Sequence, residues 1–299
     1  MVKNELDRFA IILLVILCAI WGCQQVAIKW ALVAVPPLLQ AGLRSLIAVV
    51  LLMLWMLWKG EKPWSKDGGG WWGVLAGVLF AGEFQMLYWG LEYTSASRAA
   101  VFLYTSPFVV ALGAHFLLPG EALTKLRILG LVIAFSGIVL AFYNGSSTGG
   151  KQLYGDLMVL LGAVFWGCTT LVIKASPQRH LSAEKVLFYQ LAVSALLLPL
   201  GSWLLAEPAI GDISATVVGS VLYQSVVVAF ISYTAWFWLV REYPASKVAA
   251  FGFLSPMFGV LAGYFLLQEQ INQSFMIALL LVLGGIWLVN RPRPALADN

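Results

Sequence analysis

Arg44 and Glu83 are the residues of this 299-residue chain whose placement most demands a chemical role. Each falls about nine residues inside an apolar run, roughly 13 Å from its nearer end at the rise of an α-helix. An ionisable side chain at that depth in hydrocarbon faces protein or a water-filled cavity, and marks a substrate, ion or proton path. The two runs are antiparallel, so the depths match and an Arg44–Glu83 pair can form. That structural pairing stands beside the functional reading, a substrate-charge or coupling site. If protons drive the chemistry, Glu83 is the group to carry them.

Uncharged polar and aromatic residues recur inside the same kind of run: Trp21, Gln24 and Gln25; Gln40; Gln85 and Tyr88; Tyr104; Trp166, Thr169 and Thr170; Tyr189 and Gln190; Tyr223 and Gln224; Tyr233 and Trp236. Spacings of three or four place Trp21 with Gln24 or Gln25, Gln85 with Tyr88, and Trp166 with Thr169 or Thr170 on shared helix faces. Rings and amides around one cavity suit a small ligand with an apolar body and a few hydrogen-bonding groups. A polyanion suits them poorly, since Arg44 is the single deep cation.

Other chemistries are excluded on the residues. Cys18, Cys23 and Cys168 all lie in apolar runs, without disulfide or zinc spacing. The two histidines, with no carboxylate cluster near them, give no metal site and no nucleophile–base set, so neither an enzyme nor a cofactor is expected. Gly145 to Lys151 satisfies the glycine and lysine positions of a phosphate loop, but Gln152 follows and no strand precedes. Gly68, Gly70 and Gly73 fit a dinucleotide fingerprint only in spacing.

Composition says what holds these residues. The chain is 61% hydrophobic and 11% charged, against roughly 25% charged in soluble domains, and its mean hydropathy is +0.88. Too little charge is present to cover a soluble core, which excludes a soluble enzyme, a disordered chain and a nucleic-acid binder. Ten apolar segments fit, over residues 9–29, 35–58, 71–91, 95–118, 124–143, 153–174, 183–205, 214–240, 245–267 and 272–290. The first is longer than the apolar core of a signal peptide and has an internal copy, so it reads as a retained helix. Fourteen of the 18 Lys and Arg fall on the side that holds the N-terminus, three on the other, and Arg44 within a helix. The positive-inside rule then places both termini in the cytoplasm.

The chain repeats itself. WGCQQVAIK from Trp21 returns as WGCTTLVIK from Trp166, at an offset of 145. Ser97-Arg98 through Ser106-Pro107 returns as Ser246-Lys247 through Ser255-Pro256, at an offset of 149. The halves are residues 1–149 and 150–299, five helices each. Five is odd, so the second half enters the membrane inverted, as in many secondary transporters. The expected fold is an all-α integral membrane protein of ten transmembrane helices, two inverted repeats around a central cavity. Pro107 and Pro256, at equivalent positions, remove helical hydrogen bonds and suit a hinge or gate. Gly73-x-x-x-Gly77 and Gly259-x-x-x-Gly263 read as helix-packing grooves.

At these repeated motifs the sequence resembles EamA-type members of the drug/metabolite transporter superfamily. The resemblance rests on WGCQQVAIK with Pro36-Pro37 and Gly42-Leu43-Arg44, on WGCTTLVIK, on the paired Ser-Pro helices, and on Glu121 and Glu269 after them. It covers essentially the whole chain. It implies a central cavity and export of small metabolites. The ring-rich helices are similar to bacterial exporters of aromatic and neutral amino acids, which carries cavity roles over to Trp21, Gln85, Tyr88, Tyr104 and Trp166. Val193 or Ser194 stands where a second-half arginine would match Arg44. The expected protein is therefore an inner-membrane exporter or facilitator of amino acids and related amphipathic metabolites. A proton-coupled multidrug or metabolite exporter is the alternative within the superfamily, and a membrane enzyme the alternative outside it. Its partners are the bilayer and the small-molecule substrate, with no nucleic acid, and it is expected to be a monomer.

Overall fold

The computed structural model describes residues 5–63, 70–118, 123–145, 150–243, 247–248 and 251–289. Gly68, Glu121, residues 146–149 of the phosphate-loop-like run and Ser246 lie outside them.

Among the described residues ten helices follow in order: α1 Arg8–Leu32, α2 Pro37–Trp58, α3 Gly70–Tyr93, α4 Ala96–Leu117, α5 Lys125–Gly145, α6 Gly150–Ala175, α7 Ala183–Leu204, α8 Ala215–Glu242, α9 Phe251–Leu267 and α10 Gln273–Val289. The first four and α6 to α8 are long and apolar enough to cross a membrane, and α9 and α10 are shorter apolar helices. The outer surface is apolar, and polar side chains are buried within an apolar core. Gln24, Gln40, Arg44 and Glu83 are buried, whereas Trp58, Trp71, Phe135, Trp203 and Leu280 are exposed. Lipid is the solvent for such a surface.

Local chemistry fixes the starts. Asp7, Ser95, Ser182 and Ser214 accept the backbone N–H of Ala10, Arg98, Lys185 and Val217, capping α1, α4, α7 and α8. Pro37 opens α2 at a position where its missing N–H is no loss. Two proline expectations change in detail. Pro107 does not kink a continuous helix: α4 breaks at Tyr104-Thr105, and Ser106-Pro107 begins its second segment. Pro256 likewise lies in the first turn of the α-helical part of α9, Leu254–Leu267, after a 3₁₀ turn at Phe251–Phe253. A π-helical stretch over Tyr223–Ser232 inside α8 was not expected from the sequence.

The helix pairings carry the repeat. Exchanging each helix for its counterpart in the other half maps the most extensive packings onto one another. α1 packs on α9 and α6 on α4; α1 on α8 and α6 on α3; α2 on α8 and α7 on α3. α2 with α7, α4 with α9, and α5 with α10 are each packed against their own counterpart. Single contacts obey the same relation. The Thr94 hydroxyl donates to Asp156, and the Tyr243 hydroxyl donates to Asp7 at 2.8 Å; each pair is separated from the other by 149 residues.

The repeated motifs meet each other across the halves. A Cβ on Gly22 would lie 2.5 Å from Phe258 Cβ, and one on Gly167 would lie 2.6 Å from Val109 Cβ. Phe258 and Val109 each follow a Ser-Pro pair. The Trp-Gly step of one half thus crosses the Ser-Pro helix of the other at backbone contact, the close approach that glycine permits in membranes. Gly73 and Gly77 form a groove filled by Tyr189 and Val193 of α7.

Candidate functional site

A cavity of about 500 Å³ lies between α1, α3, α4, α6, α7 and α8, within the roughly 300–1,000 Å³ range of small-molecule sites. Trp21, Gln24, Gln25, Glu83, Tyr104, Trp166, Thr169 and Gln190 line it, all named from the sequence. Phe80, Phe84, Thr170, Tyr233, Trp236 and Phe237 complete much of its wall. It reaches the α6–α7 connection, where Gln178, Arg179, Leu181 and Ala183 form its rim and Arg179 is exposed.

The wall is held by its own contacts. The Trp21 indole N–H donates to Ser232 Oγ at 2.7 Å, and its ring meets Trp236 edge-on at 5.0 Å. Tyr104 stands at the break in α4 with its ring perpendicular to Trp166, centroids 5.5 Å apart. Thr169 and Thr170 donate to the carbonyls of Phe165 and Trp166, and Gln190 to that of Val186, leaving the indole and phenol rings as the main exposed chemistry. Glu83 is 5% exposed, and its Oε2 has no hydrogen-bond partner.

Five sequence candidates stand elsewhere. Arg44 is fully buried behind Phe84, its guanidinium 3.9 Å over that ring and its Nη2 donating to Tyr233 Oη at 3.3 Å. Among the described residues no ion pair joins it to Glu83; the π-face of Phe84 and the Tyr233 hydroxyl take the place of the expected carboxylate. Gln40 and Tyr88 both donate to Gln224 Oε1, at 3.2 and 2.6 Å, in a buried cluster joining α2, α3 and α8. Tyr189 fills the Gly73 groove. Gln85 is half-buried and is absent from the cavity wall. Of the wall residues not singled out from the sequence, Phe80 had a signal, three residues before Glu83, and Phe84 shares the face of Phe80 four residues on. Gln178 and Arg179 had none, being loop residues brought in by the fold.

One end of the helix bundle is tied together by charged side chains. That end carries the α1–α2, α3–α4, α7–α8 and α9–α10 connections. Glu207 accepts the N–H groups of Leu38 and Leu39 at 3.1 and 3.2 Å, capping α2 from the other half. Glu269 accepts those of Ala96 and Ser97 at 2.7 and 2.9 Å, capping α4 the same way. Each glutamate follows a non-glycine residue in left-handed backbone, Ala206 at φ 50° and Gln268 at φ 54°. Lys29 donates to the carbonyls of Leu91 and Thr94 at the end of α3. Arg98 Nε reaches both Asp156 oxygens at 3.0 Å, and its Nη2 donates to Ala141 O. At the opposite end the Lys59–Glu184 ion pair, 3.2 Å, is solvent-accessible. A second cavity of about 780 Å³ opens there between α1, α2, α7 and α8, sharing Leu181, Ala183, Phe237 and Val240 with the first.

The chain is 30% identical over 280 residues to the uncharacterized transporter YvbV of Bacillus subtilis, covering 93% of this chain and 90% of that one. It is 27% identical over 295 residues to a probable amino-acid metabolite efflux pump of Salmonella typhimurium, covering 94% of each. A solved crystal structure superposes with a TM-score of 0.67 at 21% identity, over 94% of this chain and 96% of that one, which shows the shared fold. The model of the EamA-like transporter family matches residues 8–143 and again 153–291. The chain belongs to the EamA-like transporter family and is a multi-pass membrane transporter built of two inverted repeats.

Proposed function

We propose that this protein carries amino acids, aromatic and neutral ones foremost, and related amphipathic metabolites across the inner membrane by alternating access. The observation that carries the reading is the ring-lined cavity between the two halves, open to a rim at one end and clamped at the other. The efflux pump among its relatives, similar along nearly the whole chain, supports the substrate class. The excess of Lys and Arg on the side of the N-terminus supports cytoplasmic termini. On that orientation the clamped end faces outward, and substrate enters from the cytoplasm past Arg179. Trp21, Gln24, Gln25, Tyr104, Trp166, Thr169 and Gln190 hold the substrate. Arg44, Gln40 and Tyr88 position the wall from behind. The breaks at Pro107 and Pro256 are where the halves flex, and a single chain suffices.

Radiolabelled phenylalanine flux into proteoliposomes preloaded with unlabelled phenylalanine, without an ion gradient, tests this. A carrier shows accelerated exchange, and Trp166→Ala weakens it about tenfold through loss of an aromatic face. Exchange at the rate of protein-free liposomes would refute it for aromatic amino acids.

A further inference from the structure

We infer that Glu83 is the specificity-determining residue of the central cavity and receives the protonated amine of the substrate, so that the site selects amphipathic primary amines and does without their carboxylate. The inference deepens the transport reading above and rests on it for the identity of the cavity as the substrate site.

Among the described residues that line the cavity, Glu83 is the one carboxylate and Arg179 the one guanidinium. They differ in surroundings. Glu83 is buried, and Oε2 keeps an unused acceptor. Arg44 is the cation that would neutralise it; it lies over the ring of Phe84 and donates to Tyr233, among the described residues no ion pair joins it to Glu83, and its Nε and Nη1 have no hydrogen-bond partner. The wall near this carboxylate is made of rings, and aromatic faces attract cations. An ammonium group entering here gains a charge-assisted hydrogen bond away from bulk water, roughly 10- to 100-fold in affinity. A carboxylate entering here gains no such pairing. Arg179, by contrast, is exposed at the rim, where water and salt screen its attraction for an anion. The deep contact therefore decides selection.

The test uses the purified full-length chain, with phenylalanine, phenethylamine and 3-phenylpropionate titrated calorimetrically and phenylalanine exchange measured in parallel. The expected result is that the two amines bind within about threefold of each other and 3-phenylpropionate at least tenfold more weakly. Glu83→Gln then removes the discrimination, and Glu83→Asp, which keeps the charge, restores part of it. Less than tenfold discrimination in the unaltered chain overturns the assignment, whether or not a variant folds. So does discrimination that survives in a folded Glu83→Gln chain. Amine binding without phenylalanine exchange overturns the transport reading and leaves Glu83 as the amine site; exchange without discrimination does the reverse. Binding of none of the three overturns both.

Discussion

Replacing Asp156 with alanine is expected to destabilise the folded chain by about 3–5 kcal/mol, the usual effect of stranding one member of a buried ion pair. Asp156 is fully buried, and Arg98 is 7% exposed. The carboxylate accepts from Arg98 Nε and Nη2 and from the Thr94 hydroxyl. Its loss leaves a guanidinium with the Ala141 carbonyl and the rings of Phe102 and Phe275, 5.5 and 5.6 Å away. Those rings soften the loss and cannot replace a counter-ion. The double replacement Arg98→Met with Asp156→Leu should recover most of the stability, because exchanging a whole buried pair for apolar residues is often neutral. Unfolding in mixed micelles, followed by the change in helical signal, checks both variants.

Gly22→Ala is expected to cost roughly 1–3 kcal/mol and to impair transport at the same time. The added methyl would lie 2.6 Å from the Gly259 nitrogen and 2.8 Å from the Phe258 carbonyl carbon. These are backbone atoms, so no rotamer change relieves the overlap and α1 must move away from α9. Trp21, the neighbouring residue, moves with it and leaves the cavity wall. Gly219→Ala in α8 is the control: nothing lies within 4 Å of its Cβ position. There the substitution should leave stability unchanged or raise it by about 1 kcal/mol, since alanine is the better helix former. Thermal stability and exchange rate, measured on both variants, separate the close crossing from a general intolerance of substitution.

Much of this architecture is legible in the sequence because lipid imposes a simple rule. Every long apolar run must be a helix, so the ten runs and the 145- and 149-residue offsets lead directly to the inverted repeat. The site is legible in depth and not in direction. Arg44, Gln40 and Tyr88 lie at useful depths, but an apolar helix inside a bundle is hydrophobic all round, and no stripe tells the cavity face from the packing face. They turn toward α8 and Phe84. The π stretch of α8, which brings Gln224 to Gln40 and Tyr88, has no propensity signature. Nor do the outer clamps: Glu207 and Glu269 act through turns at Ala206 and Gln268, where glycine would have been the recognisable residue. Their partners lie in the other half of the chain.

Alternating access at one cavity requires the clamped end to open during transport. Ala34 and Gly211 join the two halves at that end, with Gly211 N–H donating to Ala34 O at 2.8 Å. A Cβ on Gly211 would lie 3.9 Å from that of Ala34, within the roughly 3.5–4.5 Å span of a disulfide. In a chain with Cys18, Cys23 and Cys168 replaced by alanine, Ala34→Cys with Gly211→Cys should cross-link on oxidation. Phenylalanine exchange in proteoliposomes should then fall to the protein-free rate and return when the bond is reduced. Full exchange through a fully cross-linked chain would contradict alternating access at this cavity.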